Sequence, residues 1–445
     1  MKWWRIGTKW PRQTSNHVNL VNHVILFNDL LHQHARSIFR HALSSVDPRP
    51  STREAITNLA LPSHPIYSIA IGKAAISMAL GLEDAINDKL SAGVIVSTSL
   101  HQSPRWQSFT GGHPLPTEES LAAARAAFTL LDRANDEQAT LIFLISGGGS
   151  AMIEWPISDD ISLADLRAAN QDLVSCGARI AEINSVRRAF SAMKGGGLAR
   201  RAPQAKLFTL IVSDTNSGDE ASVASGPTLD PAEEALNALE VVEHYHLDTV
   251  LPESIINAVR RAKEPATAIT GSHIVLLDNR TAIDAAAKKA RELGFACATL
   301  DHVSEQPIQE GCELLLASLF DHHTDEPLCS ISGGEFSCPV RGDGRGGRNL
   351  ETALRCAISL NDHNNPASHF IVLSAGTDGI DGNSPAAGAI ADETTLYRAR
   401  NLNLNAAEYL ARSDSYTFFE QLNDLIVTGP TGTNVRDLRI VLQSA

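Results

Sequence analysis

The chain has 445 residues, of which 43% are hydrophobic and 20% are charged, and this composition predicts roughly two or three folded domains with substantial cores. It argues against disorder and against a fibrous repeat. Fifty-one acidic residues against 37 basic ones leave a formal net charge of -14, a field that repels phosphate polymers and anionic lipid. We therefore predict that the protein binds neither nucleic acid nor membranes.

Residues 1–20 are predicted to form a poorly ordered or accessory tail. The segment is basic but lacks the apolar centre of a secretory signal, so we predict no export and a cytoplasmic location. Its three tryptophans could equally form a small hook for packing or for binding a partner. The six cysteines of the chain are widely spaced without a CxxC pair, which predicts reduced thiols.

The hydrophobic pattern predicts alternating strands and helices. A polar stretch between about residues 262 and 272 predicts a boundary between two domains, at residues 21–265 and 270–445. The alternation itself predicts parallel sheet covered by helices on both faces. The predicted strands are residues 67–71, 93–97, 141–145, 207–213, 273–277, 295–300 and 370–374, and the predicted helices are residues 73–86, 117–133, 163–173, 184–194, 281–293 and 349–360.

The first strand ends in the sequence IAIGKAA, where Gly72 and Lys73 separate a strand from a helix. Open parallel sheets bind ligands beyond the carboxyl ends of their strands, and the amides that begin a helix favour an anion. We therefore predict that Lys73 contacts a phosphate or a carboxylate. The alternative is a solvated lysine in the first helical turn, although a cation there opposes the helix dipole.

A later strand ends in the glycine-rich sequence LISGGGSAM. Glycines let backbone amides approach a ligand without interference from a Cβ, so we predict that Gly148, Gly149 and Ser150 contact substrate. The sequence matches neither a Walker loop, nor a dinucleotide fingerprint, nor a nucleophile elbow. A purely structural glycine turn is the equal alternative.

The next strand ends in VSDTNSGDEASVASGPT, which places Asp214 directly at the strand end. A carboxylate in this position can hold Mg2+ or orient a substrate hydroxyl, and we predict one of these roles for Asp214. Asp219, further along the loop, has the equal alternative of capping a turn.

Two loops in the C-terminal half carry opposite charges. VRGDGRGGRNLE sets Arg341, Arg345 and Arg348 among glycines before a helix, a combination that suits a polyphosphate. Arg348, at the junction between glycines and helix, is the predicted contact. VLSAGTDGIDGNS places Asp378 and Asp381 three residues apart on a turn, a spacing that lets both carboxylates face one cation.

Together these loops supply a lysine, an arginine, two or three carboxylates and several glycine-rich turns. Phosphoryl transfer needs this set, because cations and amides stabilise the developing charge, Mg2+ binds carboxylates and a base activates the acceptor. The sequence has no Cys or His cluster with zinc spacing. His113, in GGHPLP, is interpreted as a substrate contact only.

Seven segments of the chain resemble the signature blocks of the class II glycerate kinases, and they occur in the order typical of that family. The resemblance extends from about residue 28 to residue 442, nearly the whole chain. The segments are GGHPLP, LISGGGSAM, INSVRRAFSAMKGGGLA, VSDTNSGDEASVASGPT, RGDGRGGRNLE, GTDGIDG and TGPTGTNVRDL.

The resemblance implies an α/β fold in which an N-terminal Rossmann-like α/β/α domain precedes a smaller C-terminal α/β domain, with the active site in the cleft between them. It also implies phosphorylation of D-glycerate by ATP with Mg2+, usually on the 2-hydroxyl to give 2-phosphoglycerate. A homodimer is compatible with an enzyme of this size.

Matching positions imply Lys73 and Arg348 as the catalytic cations. They imply Asp214 and Asp378 as the carboxylates that serve the metal or the hydroxyl. Asp381 is a further metal candidate because of its spacing from Asp378. The ATP phosphates are expected on the glycine loops. The predicted nucleotide contacts are Ser332, Gly333, Gly334, Gly346, Gly347 and Asn349.

Two other functions compete with the kinase. Some family members carry the name hydroxypyruvate reductase, but an NAD(P)H-dependent reductase needs a dinucleotide loop with an acid about 20 residues downstream, and the sequence has none. A non-catalytic sensor of glycerate or nucleotide would share the glycine loops without needing Lys73, Arg348 and Asp378. The presence of all three favours an enzyme.

Overall fold

The computed structural model describes residues 15–62, 65–231, 237–262, 268–320, 326–362 and 369–444. Its first sheet has six strands in the spatial order β3-β2-β1-β4-β5-β6, and all of the neighbouring pairs are parallel. The strands are β1 (Ile66–Ile71), β2 (Leu90–Ser97), β3 (Trp106–Thr110), β4 (Thr140–Ser146), β5 (Lys206–Val212) and β6 (Gly271–Leu277).

Helices cover both faces of this sheet, as the alternation predicted. Strand β1 is buried along its whole length because its apolar side chains meet helices on both sides. One face is covered by α2 (Pro48–Asn58) and α3 (Ala75–Ile86), and the other by α4 (Glu118–Asp136) and the short α7 (Gly197–Arg200). A separate apolar cluster beside the sheet is formed by α5 (Leu163–Ser175), α6 (Ile180–Phe190), α8 (Ala238–His244) and α9 (Glu253–Arg261).

The second sheet is mixed, so the prediction of parallel sheet throughout is wrong here. Its spatial order is β11-β10-β9-β12-β8-β7, and β7 and β8 are its single parallel pair among the described strands. The reason is that β12, the last strand of the chain, inserts between β8 and β9 and runs opposite to both. The strands are β7 (Ala296–Thr299), β8 (Leu328–Ser332), β9 (Phe370–Gly376), β10 (Gly388–Asp392), β11 (Leu425–Ile426) and β12 (Asp437–Gln443).

The second sheet also has helices on both faces. The first helix in the described residues, α1 (Ser15–Ser45), packs on one face together with α10 (Asn279–Glu292). The other face carries α11 (Ile308–Phe320) and α12 (Arg348–Asp362). Three shorter helices extend the apolar cluster around α12, namely α13 (Thr395–Asn401), α14 (Ala406–Ala411) and α15 (Ser415–Leu422).

The sheets divide the chain later than the boundary predicted at residues 262–272. Strand β6 lies at the edge of the first sheet, paired in parallel with β5, so this sheet ends at Leu277. Helix α1, which the prediction places in the N-terminal domain, packs on the second sheet, where His32 Nε2 lies 2.8 Å from Asp392. The domain limits of 21–265 and 270–445 stay a prediction.

Most predicted elements lie within three residues of the observed ones. Helix α6 is the exception, because it begins four residues earlier than expected. The Glu182 carboxylate accepts a hydrogen bond from the Arg179 amide at 2.7 Å, and this contact fixes the start of the helix where the apolar spacing gives no signal. The predicted tail, residues 1–20, overlaps the start of α1 and otherwise lies outside the described residues.

No helix within the described ranges is both long and apolar enough to cross a lipid bilayer.

Candidate active site

Strand ends from the two sheets face each other at one place. In the first sheet the strand order reverses between β1 and β4, the position at which open parallel sheets bind ligands. In the second sheet β8 and β9 end beside the start of β12, because β12 is antiparallel to both. Lys73 Nζ, from the first edge, lies 2.6 Å from Asp378 Oδ2, from the second. The fold therefore joins two candidates that are 305 positions apart in the sequence.

The backbone before Lys73 is fixed by the neighbouring strand end. Gly72 has a φ of 110°, and a Cβ there would lie 2.3 Å from the carbonyl oxygen of Ser146, so the position requires glycine. The Lys73 amide donates a hydrogen bond to the Gly147 carbonyl at 3.0 Å. With its backbone held in this way, the Lys73 side chain reaches across to Asp378.

Asp214 lies beside this ion pair at the end of β5. Its Oδ2 accepts a hydrogen bond from Asn434 Nδ2 at 3.3 Å, and a Cβ on Gly147 would lie only 1.8 Å from the same oxygen. Desolvation raises the pKa of Asp214 to about 6, while the charge of Lys73 opposes the rise. A carboxylate with this pKa can accept a proton near neutral pH.

Arg348 is the first residue of α12, and two acids hold its guanidinium. Its Nε lies 2.5 Å from Asp437 Oδ2, and its Nη2 lies 2.7 Å from Glu335 Oε1. Although burial disfavours the charge, Asp437 and Glu335 raise the pKa of Arg348 above its usual value. The side chain is therefore a permanent cation with a fixed orientation.

Glu335 and Asp437 are residues that the sequence reasoning missed. Glu335 follows the glycine turn after β8, and the strand-end rule applied to SISGGEFS would have found it. Asp437 begins β12, a strand that the sequence pattern did not predict. Desolvation raises the pKa of Glu335 to about 7, with Asp437 adding to the rise and Arg348 opposing it.

A pocket of about 230 Å³ opens between the loops that follow β5 and β8. Gly333 and Gly334, two of the predicted nucleotide contacts, line this pocket. Arg436 lies on its wall, where Nη1 donates a hydrogen bond to Asn216 Oδ1 at 2.6 Å. The two glycines are therefore placed at an opening shared by both sheets.

Three of the four remaining predicted nucleotide contacts have partners inside the second sheet and its helices. The Oγ of Ser332 accepts a hydrogen bond from Nε of the fully buried Arg439 at 2.8 Å. The side chain of Asn349 is buried against β9. The amide of Gly346 donates to Asn383 Oδ1 at 2.8 Å. These three residues do not line the pocket to which Gly333 and Gly334 contribute.

Asp381 caps helix α12. Its carboxylate accepts hydrogen bonds from the amides of Asn349 at 3.1 Å and Leu350 at 2.8 Å, and Gly347 packs closely against it. Desolvation raises the pKa of Asp381 to about 7. Because both oxygens face the start of α12 while Asp378 faces Lys73, the structure does not direct the two carboxylates at one point.

In the part of the chain that the structure describes, no group of three or more His, Cys, Asp or Glu side chains is arranged to hold a metal ion. Magnesium in phosphoryl-transfer sites commonly takes one or two carboxylates, with phosphate oxygens and water as its other ligands. Asp378 and Asp214, at facing strand ends, fit that smaller requirement.

The predicted substrate loop packs onto Lys73 and onto α6. Gly148 has a φ of 77°, and a Cβ there would lie 3.1 Å from Lys73 Cγ. Ser150 Oγ lies 2.7 Å from Ser225 Oγ, and Ser225 in turn donates to Asn184 Oδ1 at 3.1 Å. The loop therefore links the lysine to the polar face of α6.

A buried ion pair stabilises this loop through a contact with its backbone. Lys194 and Glu154 are in direct contact, and Lys194 Nζ also donates to the Ser150 carbonyl at 2.8 Å. Gly149 lies against Ile71 at the end of β1, where a Cβ would come within 2.7 Å of the isoleucine side chain. These contacts hold the loop in place, because a buried ion pair is costly to break.

His113 lies near the Lys73–Asp378 pair. Desolvation lowers the pKa of His113, and the charge of Lys73 lowers it further. The ring is therefore neutral at physiological pH, a form that can both donate and accept a hydrogen bond. This agrees with the expectation of a substrate contact, which stays a prediction.

Comparisons with known proteins extend over nearly the whole chain. A model described as a domain of unknown function (DUF4147) matches residues 34–260, and the MOFRL family model matches residues 328–437. A D-glycerate 2-kinase from Thermotoga maritima is 33% identical to this chain over 417 residues, covering 92% of this chain and 97% of that protein. The chain belongs to the glycerate 2-kinase family. The resemblance inferred from the motifs is thereby confirmed.

A solved structure and a further relative agree with this family assignment. The crystal structure of the T. maritima glycerate kinase matches with a TM-score of 0.81 and 31% identity, covering 93% of this chain and 99% of that one. A relative from Agrobacterium vitis, provisionally named a hydroxypyruvate reductase, is 35% identical over 92% of this chain and 93% of its own length. Relatives of this chain therefore carry both names, glycerate 2-kinase and hydroxypyruvate reductase.

Proposed function

We propose that the protein transfers phosphate from ATP to D-glycerate with Mg2+, acting on the 2-hydroxyl to give 2-phosphoglycerate and ADP. The observation that carries the proposal is the convergence of Lys73, Asp214 and Arg348 at facing sheet edges. Two cations and a carboxylate of raised pKa are the groups that phosphoryl transfer to a hydroxyl requires. The name of the Thermotoga relative, D-glycerate 2-kinase, supports the acceptor and the position.

We assign the hydroxyl-activating role to Asp214. Its pKa of about 6 leaves it ionised at pH 7 yet basic enough to take the proton of the attacking hydroxyl. Asp378 would orient Lys73 and, with nucleotide phosphate oxygens, hold Mg2+, which supplies further neutralisation of phosphate charge when bound. Lys73 and Arg348 then stabilise the charge that develops on the transferred group.

The proposal includes the arrangement of the domains. The order 3-2-1-4-5-6 of the parallel sheet supports a Rossmann-like N-terminal domain, and the facing strand ends support an active site in the cleft between the domains. A cytoplasmic location and a homodimer remain predictions.

The test is an assay of the purified protein with ATP, Mg2+ and D-glycerate, scored for ADP. We expect ADP formation that depends on D-glycerate. Oxidation of NADH with hydroxypyruvate, without ADP formation, would establish the reductase instead. If calorimetry detects binding of glycerate or ATP but neither the kinase assay nor the reductase assay gives product, the protein is a sensor.

The raised pKa of Asp214 predicts how kcat depends on pH. The carboxylate must be ionised to act as a base, so kcat should fall about tenfold per pH unit below about pH 6. Rates measured between pH 4.5 and 8 test this. An Asp214→Asn variant should retain only a small rate without this acid limb, whereas Glu335→Gln should keep it. An acid limb that persists unchanged in Asp214→Asn would contradict the assignment.

A further inference from the structure

Arg187 is a half-buried cation for which the described residues supply no hydrogen-bond or ion-pair partner. It lies on α6, and its Nε is buried with no hydrogen-bond acceptor among the described residues. Nor does its guanidinium form an ion pair with any residue that the structure describes. Desolvation lowers the pKa of Arg187, and Glu154 only partly offsets this. A guanidinium removed from water is costly unless an anion neutralises it.

Glu154, the acid whose charge acts on Arg187, is already paired with another cation. Glu154 Oε2 contacts Lys194. Its Oε1 accepts hydrogen bonds from Ser191 Oγ at 2.5 Å and from the Trp155 amide at 3.0 Å. Glu154 is therefore close enough to influence Arg187, but both of its oxygens already accept hydrogen bonds from other groups. The charge of Arg187 remains available for an anion from outside the chain.

The position of Arg187 on α6 places it beside the substrate loop. Asn184 lies three residues earlier, so the two side chains occupy the same face of the helix, about one turn apart. Asn184 accepts the hydrogen bond from Ser225, which is paired with Ser150. Two hydroxyl groups and an unpaired guanidinium thus stand at one end of the loop. The other end of this loop packs on Lys73.

We propose that Arg187 binds the carboxylate of the acceptor substrate, with Ser150 turning its hydroxyl proton from Ser225 to that carboxylate. The inference rests on the proposed function and adds to it the group that selects a hydroxy acid over a neutral polyol. The loop that carries Ser150 also packs on Lys73 through Gly148, so an acid bound at Ser150 would lie on the same loop as that cation. Arg187 is thus a specificity-determining residue, separate from the cations that act on phosphate.

The test is the Arg187→Met variant. Removing a charged hydrogen-bond donor should raise the KM for D-glycerate on the order of 100-fold, with a smaller change in kcat and none in the KM for ATP. Arg187→Lys should recover part of the affinity, because it restores the charge without the planar fork. Arg167→Met, on the exposed face of α5, removes the same charge and should leave all constants unchanged.

Two further measurements distinguish a loss of carboxylate binding in Arg187→Met from a loss of protein stability. Without ligand, Arg187→Met should unfold at the temperature of the wild type or above it, because the variant loses an unpaired buried charge. The neutral amide of D-glycerate should be a poor substrate for the wild type, and the variant should no longer distinguish it from the acid. An unchanged KM for D-glycerate in Arg187→Met overturns the inference and leaves the kinase proposal standing.

Calorimetric titration with D-glycerate, without nucleotide, decides the inference even if no product forms. Binding by the wild type that is lost in Arg187→Met supports the carboxylate site, although the kinase proposal would then fail. Equal binding by both proteins, or no binding by the wild type, overturns the site.

Discussion

Replacing Arg348 by methionine is expected to lower kcat on the order of 100-fold or more, about 2.7 kcal/mol of transition-state stabilisation. Arg348 is held by Asp437 and Glu335 in one orientation at the edge of the second sheet. A cation fixed in this way stabilises developing phosphate charge without having to reorganise during the reaction. Rates of ADP release at saturating ATP and D-glycerate measure the effect.

Two variants serve as controls for Arg348→Met, one for the loss of a positive charge and one for the loss of the planar guanidinium. Arg291→Met removes an exposed arginine on α10 and should leave kcat unchanged. Arg348→Lys keeps the charge but cannot bridge Asp437 and Glu335 at once, so we expect it to stay at least about tenfold below the wild type. Near-wild-type turnover in a folded Arg348→Met protein, checked by circular dichroism, would remove Arg348 from the mechanism.

Replacing Lys73 by methionine is expected to lower kcat by a factor similar to that of Arg348→Met. The ammonium joins the two sheets through its 2.6 Å contact with Asp378, so the variant loses both a cation at the proposed phosphate site and one of the contacts between the edges. The rate of ADP release should fall on the order of 100-fold or more. Lys89→Met, at the opposite end of α3, removes an exposed lysine and serves as the matched control.

The partner of Lys73 offers an independent check. Asp378→Asn should lose activity, and high Mg2+ should restore part of it if the carboxylate holds the metal. If high Mg2+ restores no activity, Asp378 is the base, and the role given to Asp214 is contradicted.

Full activity of Lys73→Met would show that the contact between Lys73 and Asp378 has only a structural role.

Much of the first sheet and its site was predictable because local pattern and chemistry agree there. Continuous apolar runs mark fully buried parallel strands, and the residues that follow them occupy the ligand-binding edge. This rule selected Lys73 and Asp214 as candidates, and in the structure the charge of Lys73 acts on Asp214. Asp378 follows β9 and was found in the same way.

The second sheet was less predictable because its pairing depends on distant segments. Strand β12 carries Arg439, a charged residue whose side chain is fully buried, so its pattern does not read as a core strand. Without β12, neither the antiparallel pairing nor the place of Asp437 beside Arg348 can be inferred. Register between segments far apart in the chain is set by tertiary packing, not by local sequence.

The glycine-rich motifs show a second limit of local reasoning. Gly333 and Gly346 both lie in turns that suit a phosphate, yet only the first borders the pocket between the sheets. The distinction comes from partners elsewhere, such as Asn383, which accepts the Gly346 hydrogen bond. Likewise, Asp381 has the spacing of a metal ligand but serves as the cap of α12.

Formation of 2-phosphoglycerate from D-glycerate, ATP and Mg2+ tests the central claim most directly. The product is scored through enolase with phosphoglycerate mutase omitted, so that only phosphate on the 2-hydroxyl gives a signal. We predict an enolase signal that matches the release of ADP and that is lost in Lys73→Met and Arg348→Met. ADP release without this signal would contradict the proposed position, and the absence of both would contradict the kinase itself.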